Sequence, residues 1–550
     1  MTTPKTATTI STGRLLPLLA AAATLLSASA ARAAAPGING PTFNLSAQPA
    51  YITQPDGKAI YSWGYGCDPT AAQPSFAPAA ISGAFCNSMQ VPGPTLIVHE
   101  GDTVTVRLRN GLPAPAGNTS ILFPGFAVCV GSLTGASATS AGTCTPIAPN
   151  GVKGILTQEA QPGSSVTYSF YAGSPGTRAY YSGTQGDLQV EMGLYGAIVV
   201  LPSAIPSNCT TSATSPAPAL GVPNNLAAEH AHGESDFRLA AAAYDHPKTC
   251  YDREYLFQFS EIDPSIHLQA DAQVAACGTT AGCKLTVATE PYHPAYFMIN
   301  GRSMPDNMDP NYAPQYPHQP YNGNPHMHPG ELTLLRVIGT GRWQHPFHEH
   351  GNHVRVLARD GNLILTPDGS GLAGPLLFTT TTTPGLAMDG IYYWSGKGLN
   401  WDPYGHNPAS SDPLAKPTCT PDANGYNTGD PAALNYFEWC QDHNKPVESK
   451  PFGDVAGNGP ATLPDPNLFA MGPWYGGSPY LGPDGNTRAV GNTPIPPFGT
   501  VANSPTDEAG FAFMWHSHNE REITTNNVFP GGMLMMMLVD SREFAIDESL

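Results

Sequence analysis

Charge is scarce in this chain: only 12% of its 550 residues are Asp, Glu, Lys or Arg. Basic residues are the scarcer kind, 24 against 42 acidic ones, and the net charge of −18 disfavours nucleic acid and anionic membranes while modestly concentrating cations. No Cys-x-x-Cys occurs among the ten cysteines, which argues against paired thiolate metal ligation. No twin arginine precedes the apolar run Leu15 to Ala28. Export in the unfolded state, with any metal acquired outside, is therefore expected. That run is also short for a membrane span, which takes about 20 residues.

What is abundant points to strands and turns: 58 Gly and 57 Pro, with 23 Tyr, 20 Phe and 7 Trp. The length suits two or three domains with substantial cores. Residues 1–33 read as a signal peptide, because Lys5 and Arg14 precede the apolar run and Ala28-Ser29-Ala30 or Ala31-Arg32-Ala33 offers a cleavage site. The mature protein is then secreted or periplasmic, with no membrane attachment. The cysteines fall as near neighbours, 67 with 86, 129 with 144, 209 with 250, 277 with 283 and 419 with 440. Five local disulfides suit an oxidising compartment.

Along the chain, alternation in Thr103 to Arg109 and Ser165 to Tyr171 predicts an antiparallel sandwich over residues 40–203. Residues 204–248, rich in Pro, Ala, Ser and Asn, read as a linker with a short helix at 234–243. Strand signals resume at Glu254 to Ser260, Tyr296 to Gly301 and Glu331 to Val337, opening a second domain over 249–545. An insertion at about 398–509, dense in Pro, Gly, Asn and Asp, interrupts it. A loop of that length is usually functional or a lid. Three domains result if the insertion holds a sandwich of its own.

Two stretches carry the chemistry. In Trp515-His516-Ser517-His518 and in His345-Pro346-Phe347-His348-Glu349-His350-Gly351, alternate histidines on a strand share one face, so His516 and His518 form one pair and His348 and His350 another. His345, at odd spacing, looks elsewhere. Neutral imidazoles converging from adjacent strands bind copper or zinc, either as a closed set of four or as three with an open position. The alternative is a metal-free hydrogen-bonded cluster.

These stretches resemble the copper-ligand motifs of the multicopper oxidases, His-Pro-x-His-x-His-Gly and, nearer the C-terminus, a His-x-His whose central residue is cysteine. Val91-Pro92-Gly93-Pro94-Thr95 with Gly101-Asp102-Thr103-Val104, and Gly193-Leu194-Tyr195-Gly196 with Ala197 to Val200, resemble that family's first cupredoxin domain. The resemblance implies an all-β fold of tandem cupredoxin-like Greek-key β-sandwiches, a copper cofactor, oxidoreductase chemistry on a small molecule or metal ion, and a homo-oligomer in which a partner chain could complete a site. It also shows what is missing. Leu122 and Pro124 stand where one His-x-His belongs, and Tyr181 and Gly183 where another does. His345 matches a type 1 copper ligand, but Ser517 stands in place of the essential cysteine and Glu522 in place of the second histidine. A blue copper centre needs a soft thiolate with two imidazoles. The metal candidates are therefore His348, His350, His516 and His518, with His345 beside them, and no catalytic residue is assigned.

Lesser candidates read more simply. Glu349, Glu520 and Glu522 suit a solvated face; the alternative is that Glu522, beside His345, forms a carboxylate-histidine metal site or an orienting pair with it. Met533, Met535 and Met537 share one face of a closing strand and read as core. His326-Met327-His328 is a minor copper candidate, and His230 with His232 an exposed polar pair. Three functions remain: an exported copper-dependent oxidoreductase with a reduced site, a copper-buffering protein without turnover, or a metal-free assembly protein.

Overall fold

In the computed structural model the described residues are 35–77, 86, 88–209, 216–217, 222–223, 233–234, 236–396, 404, 411–414, 420–421, 427–428, 435, 437–438, 477–481, 489–490, 493–494, 509–543 and 545–546. They form two β-sandwiches in tandem. In the first, the sheet ordered Gly176–Tyr181, Tyr195–Leu201, Leu96–His99, Gly37–Asn39, Phe76–Ala77 faces the sheet ordered Ala59–Cys67, Thr42–Thr53, Thr103–Asn110, Ser165–Tyr171, Cys129–Val130. Trp63, Tyr65, Phe123, Tyr168, Phe170 and Tyr180 fill the core between them.

The second sandwich repeats the plan. One sheet runs Tyr296–Ile299, Arg253–Ile262, Leu332–Gly339, Ala387–Tyr393, Val354–Arg359, Asn362–Leu363. The other runs His326–Met327, Leu534–Asp540, Ala509–Ser517, His345–Glu349, Thr379–Thr382. Phe257, Phe347, Trp394, Phe513 and Trp515 pack between them with Met533, Met535 and Met537, all three methionines fully buried. The sheets are mixed rather than antiparallel throughout: Thr42–Thr53 runs parallel to Thr103–Asn110, and Arg253–Ile262 parallel to Leu332–Gly339. Connections that cross from one sheet to the other bring strands of like direction side by side, which strand alternation alone does not reveal.

Two local expectations are corrected. Residues 236–243 are not helical, because their backbone donors are taken by other partners: Asp236 accepts from Arg238 N (3.1 Å) and Tyr251 Oη from Ala240 N (3.2 Å), while Leu239 N donates to the Glu254 carboxylate. A helix does form at Pro264–Cys277, which the sequence reading passed over. Asp263 caps it, accepting from Ser265 N at 2.9 Å, and Pro264 sits at its first turn. It lays Ile266 and Ala270 on the first sandwich. Between the sandwiches, the buried Asp389 accepts from Thr177 Oγ1 (2.6 Å), Thr177 N (3.1 Å) and Tyr244 Oη (2.5 Å).

Disulfides join Cys67 to Cys86, Cys129 to Cys144, Cys209 to Cys250 and Cys277 to Cys283. Cys419 and Cys440, His230 and His232, residues 1–33 and most of 398–509 lie outside the described residues.

Candidate metal centre

The strand His345–Glu349 lies between Thr379–Thr382 and Ala509–Ser517, with His348 directly opposite His516, Phe347 opposite Ser517 and Glu349 opposite Trp515. Alternation then sorts the side chains: Phe347, Glu349, Trp515 and Ser517 face the core, and the histidines face the other way. His348 is the hub. Its ring centre lies 4.7 Å from that of His350, 4.9 Å from His518 and 5.6 Å from His516. Nitrogens of His348, His350 and His516 all come within 4.8 Å of one another.

Each buried ring is oriented from behind. His516 Nδ1 faces its neighbour's carbonyl, Ser517 O, at 2.8 Å, so Nδ1 carries the proton and Nε2 keeps its lone pair. His348 Nδ1 meets Thr379 Oγ1 at 2.8 Å. The His350 carbonyl accepts from Trp515 Nε1 (2.9 Å) and Tyr392 Oη (3.0 Å), which anchors the end of its strand. Burial, then the nearby charges of His350, His518 and His516 when protonated, push His348 down to about 4; burial also lowers His516. Four imidazoles held together cannot all be protonated, and neutral nitrogen lone pairs around one space are the donor set that copper or zinc takes. The residues fit the cofactor that the resemblance implies.

His345 does not join them. It is fully buried, with Nδ1 2.9 Å from Glu522 Oε2 and Nε2 2.9 Å from Glu261 Oε2. Burial disfavours its charge, but the bonds from Glu261 and Glu522 prevail and raise it to about 9, so it is an imidazolium at neutral pH. Ser517 Oγ donates to the same Glu522 oxygen. Glu261 Oε1 accepts from Arg342 N (2.6 Å), Trp343 N (2.8 Å) and Tyr292 Oη (3.3 Å), and Tyr292 Oη reaches Glu191 in the first sandwich at 2.7 Å. Burial raises Glu191 to about 8. Of the three glutamates read as a solvated face, only Glu520 is exposed. Glu522 and Glu349 are buried, the first by its imidazolium partner and the second beneath Trp515, where burial outweighs the Thr380 hydroxyl bond and raises it to about 8.

His326 and His328 are likewise committed to carboxylates. His326 Nδ1 is 2.9 Å from Asp540 Oδ2, and His328 Nε2 is 2.9 Å from Glu234 Oε2 with Nδ1 3.0 Å from Asp540 O. Burial works against charge on His328, but Glu234 overrides it and lifts the group to about 9. In the first sandwich, Leu122 and Tyr181 exchange backbone hydrogen bonds (2.7 and 3.3 Å), and a Cβ on Gly183 would meet Leu122 at 2.8 Å. The leucine fills the room that a side chain at 183 would need.

Glu261, Glu191 and Tyr292 gave no signal in the sequence. Thr379 did, weakly: five consecutive threonines beside a histidine strand supply hydroxyls to both of its faces, Thr379 to His348 and Thr380 to Glu349.

The shifts predict a pH dependence. His328 and His345 have folded values above the unfolded value of about 6.5, so the stability they contribute is present below that pH and is lost as pH rises toward 9. Glu191 and Glu349 hold a proton in the folded state that the unfolded chain has already released, so they too subtract stability as pH rises to about 8. All four act with one sign. The melting temperature of metal-free protein should fall steadily between pH 6.5 and 9, and a flat profile would contradict these assignments.

Comparison with known families and structures gives the following similarities. The multicopper oxidase family model matches residues 79–204. Similar solved structures include the multicopper oxidase mgLAC (14% identity, 90% of this chain and 86% of that one, TM-score 0.40). The blue copper oxidase of Nitrosomonas europaea has 14% identity, covering 90% and 85%, with TM-score 0.41. Fet3p, a multicopper oxidase that functions in iron import, has 14% identity over 91% of this chain and 52% of that one, with TM-score 0.39. No curated protein sequence matches. The matched segment lies in the first sandwich, which does not carry the histidine pairs, and through residues 79–204 the chain is similar to the multicopper oxidase family.

Proposed function

We propose that this is an exported copper-binding protein on the multicopper oxidase fold, holding one copper ion at His348, His350, His516 and His518. The observation that carries the reading is the convergence of three buried or half-buried imidazole nitrogens within 4.8 Å, with His518 adjoining them. Copper held there supplies one-electron redox chemistry at an all-imidazole site. Export to a secreted or periplasmic location is supported by the disulfides.

The type 1 centre is lost on this reading. His345 spends both nitrogens on carboxylates, and Ser517 gives its hydroxyl to Glu522 instead of offering a thiolate. Copper binding or buffering is therefore favoured over four-electron oxygen reduction. Oxidation of small phenolic or metal-ion substrates is the function that the resemblance adds. The test is metal content of the mature protein after copper loading and desalting, with its visible spectrum and its oxygen consumption. About one retained copper per chain without an intense blue band is expected. No retained copper would overturn the proposal.

A further inference from the structure

The inference below rests on the copper reading and concerns how the fourth imidazole is held. His348 and His516 each have a hydrogen bond behind the ring, and the His350 carbonyl is anchored by Trp515 and Tyr392. His518 differs. Its side chain is 52% exposed, and the carboxylate beside it is the exposed Glu520, 3.4 Å away. What fixes its place is the chain on either side. Glu522 Oε2 accepts from Ser517 Oγ, the residue before His518, and Glu522 Oε1 accepts from Asn519 Nδ2, the residue after it, at 2.8 Å. The two flanking residues also meet directly, Asn519 N donating to Ser517 Oγ at 3.3 Å, and His518 N donates to Pro346 O at 2.7 Å.

The gripping carboxylate is itself immobilised. Glu522 is 1% exposed, its N–H donates to Asn519 O and its carbonyl accepts from Met533 N, both at 2.8 Å. His345 Nδ1 donates to its Oε2, and the opposite side of His345 is held by Glu261, fixed in turn by the backbone N–H groups of Arg342 and Trp343.

We infer that Glu522 is the positioning residue that makes His518 the fourth copper ligand, with His345 and Glu261 holding Glu522 in place. Three donors converge on two carboxylate oxygens. An alanine at 522 removes both acceptor oxygens, so it leaves neither side of the turn around His518 held by this side chain. Copper would then keep the three imidazoles that already converge, and its fourth equatorial position would pass to water. Groups behind a metal ligand commonly change affinity by about 10–100-fold.

The experiment loads the mature full-length protein with copper(II) and counts equatorial nitrogens by pulsed paramagnetic resonance, alongside affinity by competition with a chelator. Wild type should show four nitrogens. Glu522→Ala should show three, match His518→Ala in spectrum, and bind copper about 10–100-fold more weakly. His328→Gln, which disturbs a buried histidine-carboxylate pair in the Glu234 and Asp540 cluster, should keep the four-nitrogen spectrum, since a loss of stability alone does not change the ligand count. Should Glu522→Ala fail to fold, Asn519→Ala removes one side of the grip while keeping the buried charges, and it must weaken copper binding. Four nitrogens and unchanged affinity in Glu522→Ala, or in Asn519→Ala where that variant decides, would overturn the positioning role and leave the copper reading standing. A wild type that takes no copper would overturn the copper reading itself.

Discussion

Copper(II) at about a hundredfold excess over its dissociation constant should raise the melting temperature of the metal-free protein by about 3 °C, and His348→Ala should abolish the rise. A ligand that binds only the folded state stabilises it by about 2.7 kcal/mol at that excess. For a chain of this size each kcal/mol moves the transition by about 1 °C. His348 is the substitution of choice because its ring lies within 5.6 Å of each of the other three and its nitrogen is one of the three that converge within 4.8 Å. His516→Ala should act similarly, whereas His518→Ala should retain part of the shift, since three nitrogens remain within 4.8 Å. The same variants separate metal loss from misfolding. Without copper, His348→Ala should melt no lower than wild type near pH 6, because it removes an imidazole that burial and its neighbours already hold down to about 4. Differential scanning with and without a chelator checks both statements. A copper-induced rise that survives in His348→Ala would move the site elsewhere.

The second large effect is on stability. His345→Leu should cost about 3–5 kcal/mol, because it removes the cation between Glu261 and Glu522 and leaves two carboxylates buried without it. Neutralising the carboxylates in the same protein, as Glu261→Gln with Glu522→Gln, should recover most of the loss, since the cost comes from uncompensated charge more than from a missing contact. Urea midpoints of the single and triple variants measure this directly. A single variant within about 1 kcal/mol of wild type would show that the triad carries little net charge in the folded protein. The position matters because the resemblance assigns a metal to it. An imidazolium between carboxylates is a different solution to the same buried space: His345 stays and the metal's charge is replaced by a proton.

The strands that carry the site were readable from the sequence because alternation has a period of two residues. His348 with His350, and His516 with His518, had to share faces wherever the strands went, and His345 had to face away from them. The four observed disulfides were readable for a similar reason, since each joins cysteines close in the chain, with separations of 6 to 41 residues. The helix Pro264–Cys277 was missed although Asp263 and Pro264 announce its start, because its buried residues, Ile266, His267, Ala270 and Cys277, are too few to mark a continuous apolar stripe.

Burial of a charged side chain is where local reading fails. A glutamate in a run such as Asn519-Glu520-Arg521-Glu522 looks solvated, and Glu520 is, whereas Glu522 is buried because His345 arrives from 177 residues away. Glu261 reaches the other side of that imidazole from 84 residues away.

By itself, then, the sequence determined that two histidine pairs exist, that a thiolate is absent from between them, and which way each side chain of the two strands must point. Only the tertiary structure decided that the pairs meet, that His345 is an imidazolium between carboxylates, and that one buried glutamate grips both neighbours of His518. The physical reason is range: side-chain alternation is set by adjacent peptide units, while ion pairing and convergence depend on which distant strands pack together, and local pattern does not encode that choice.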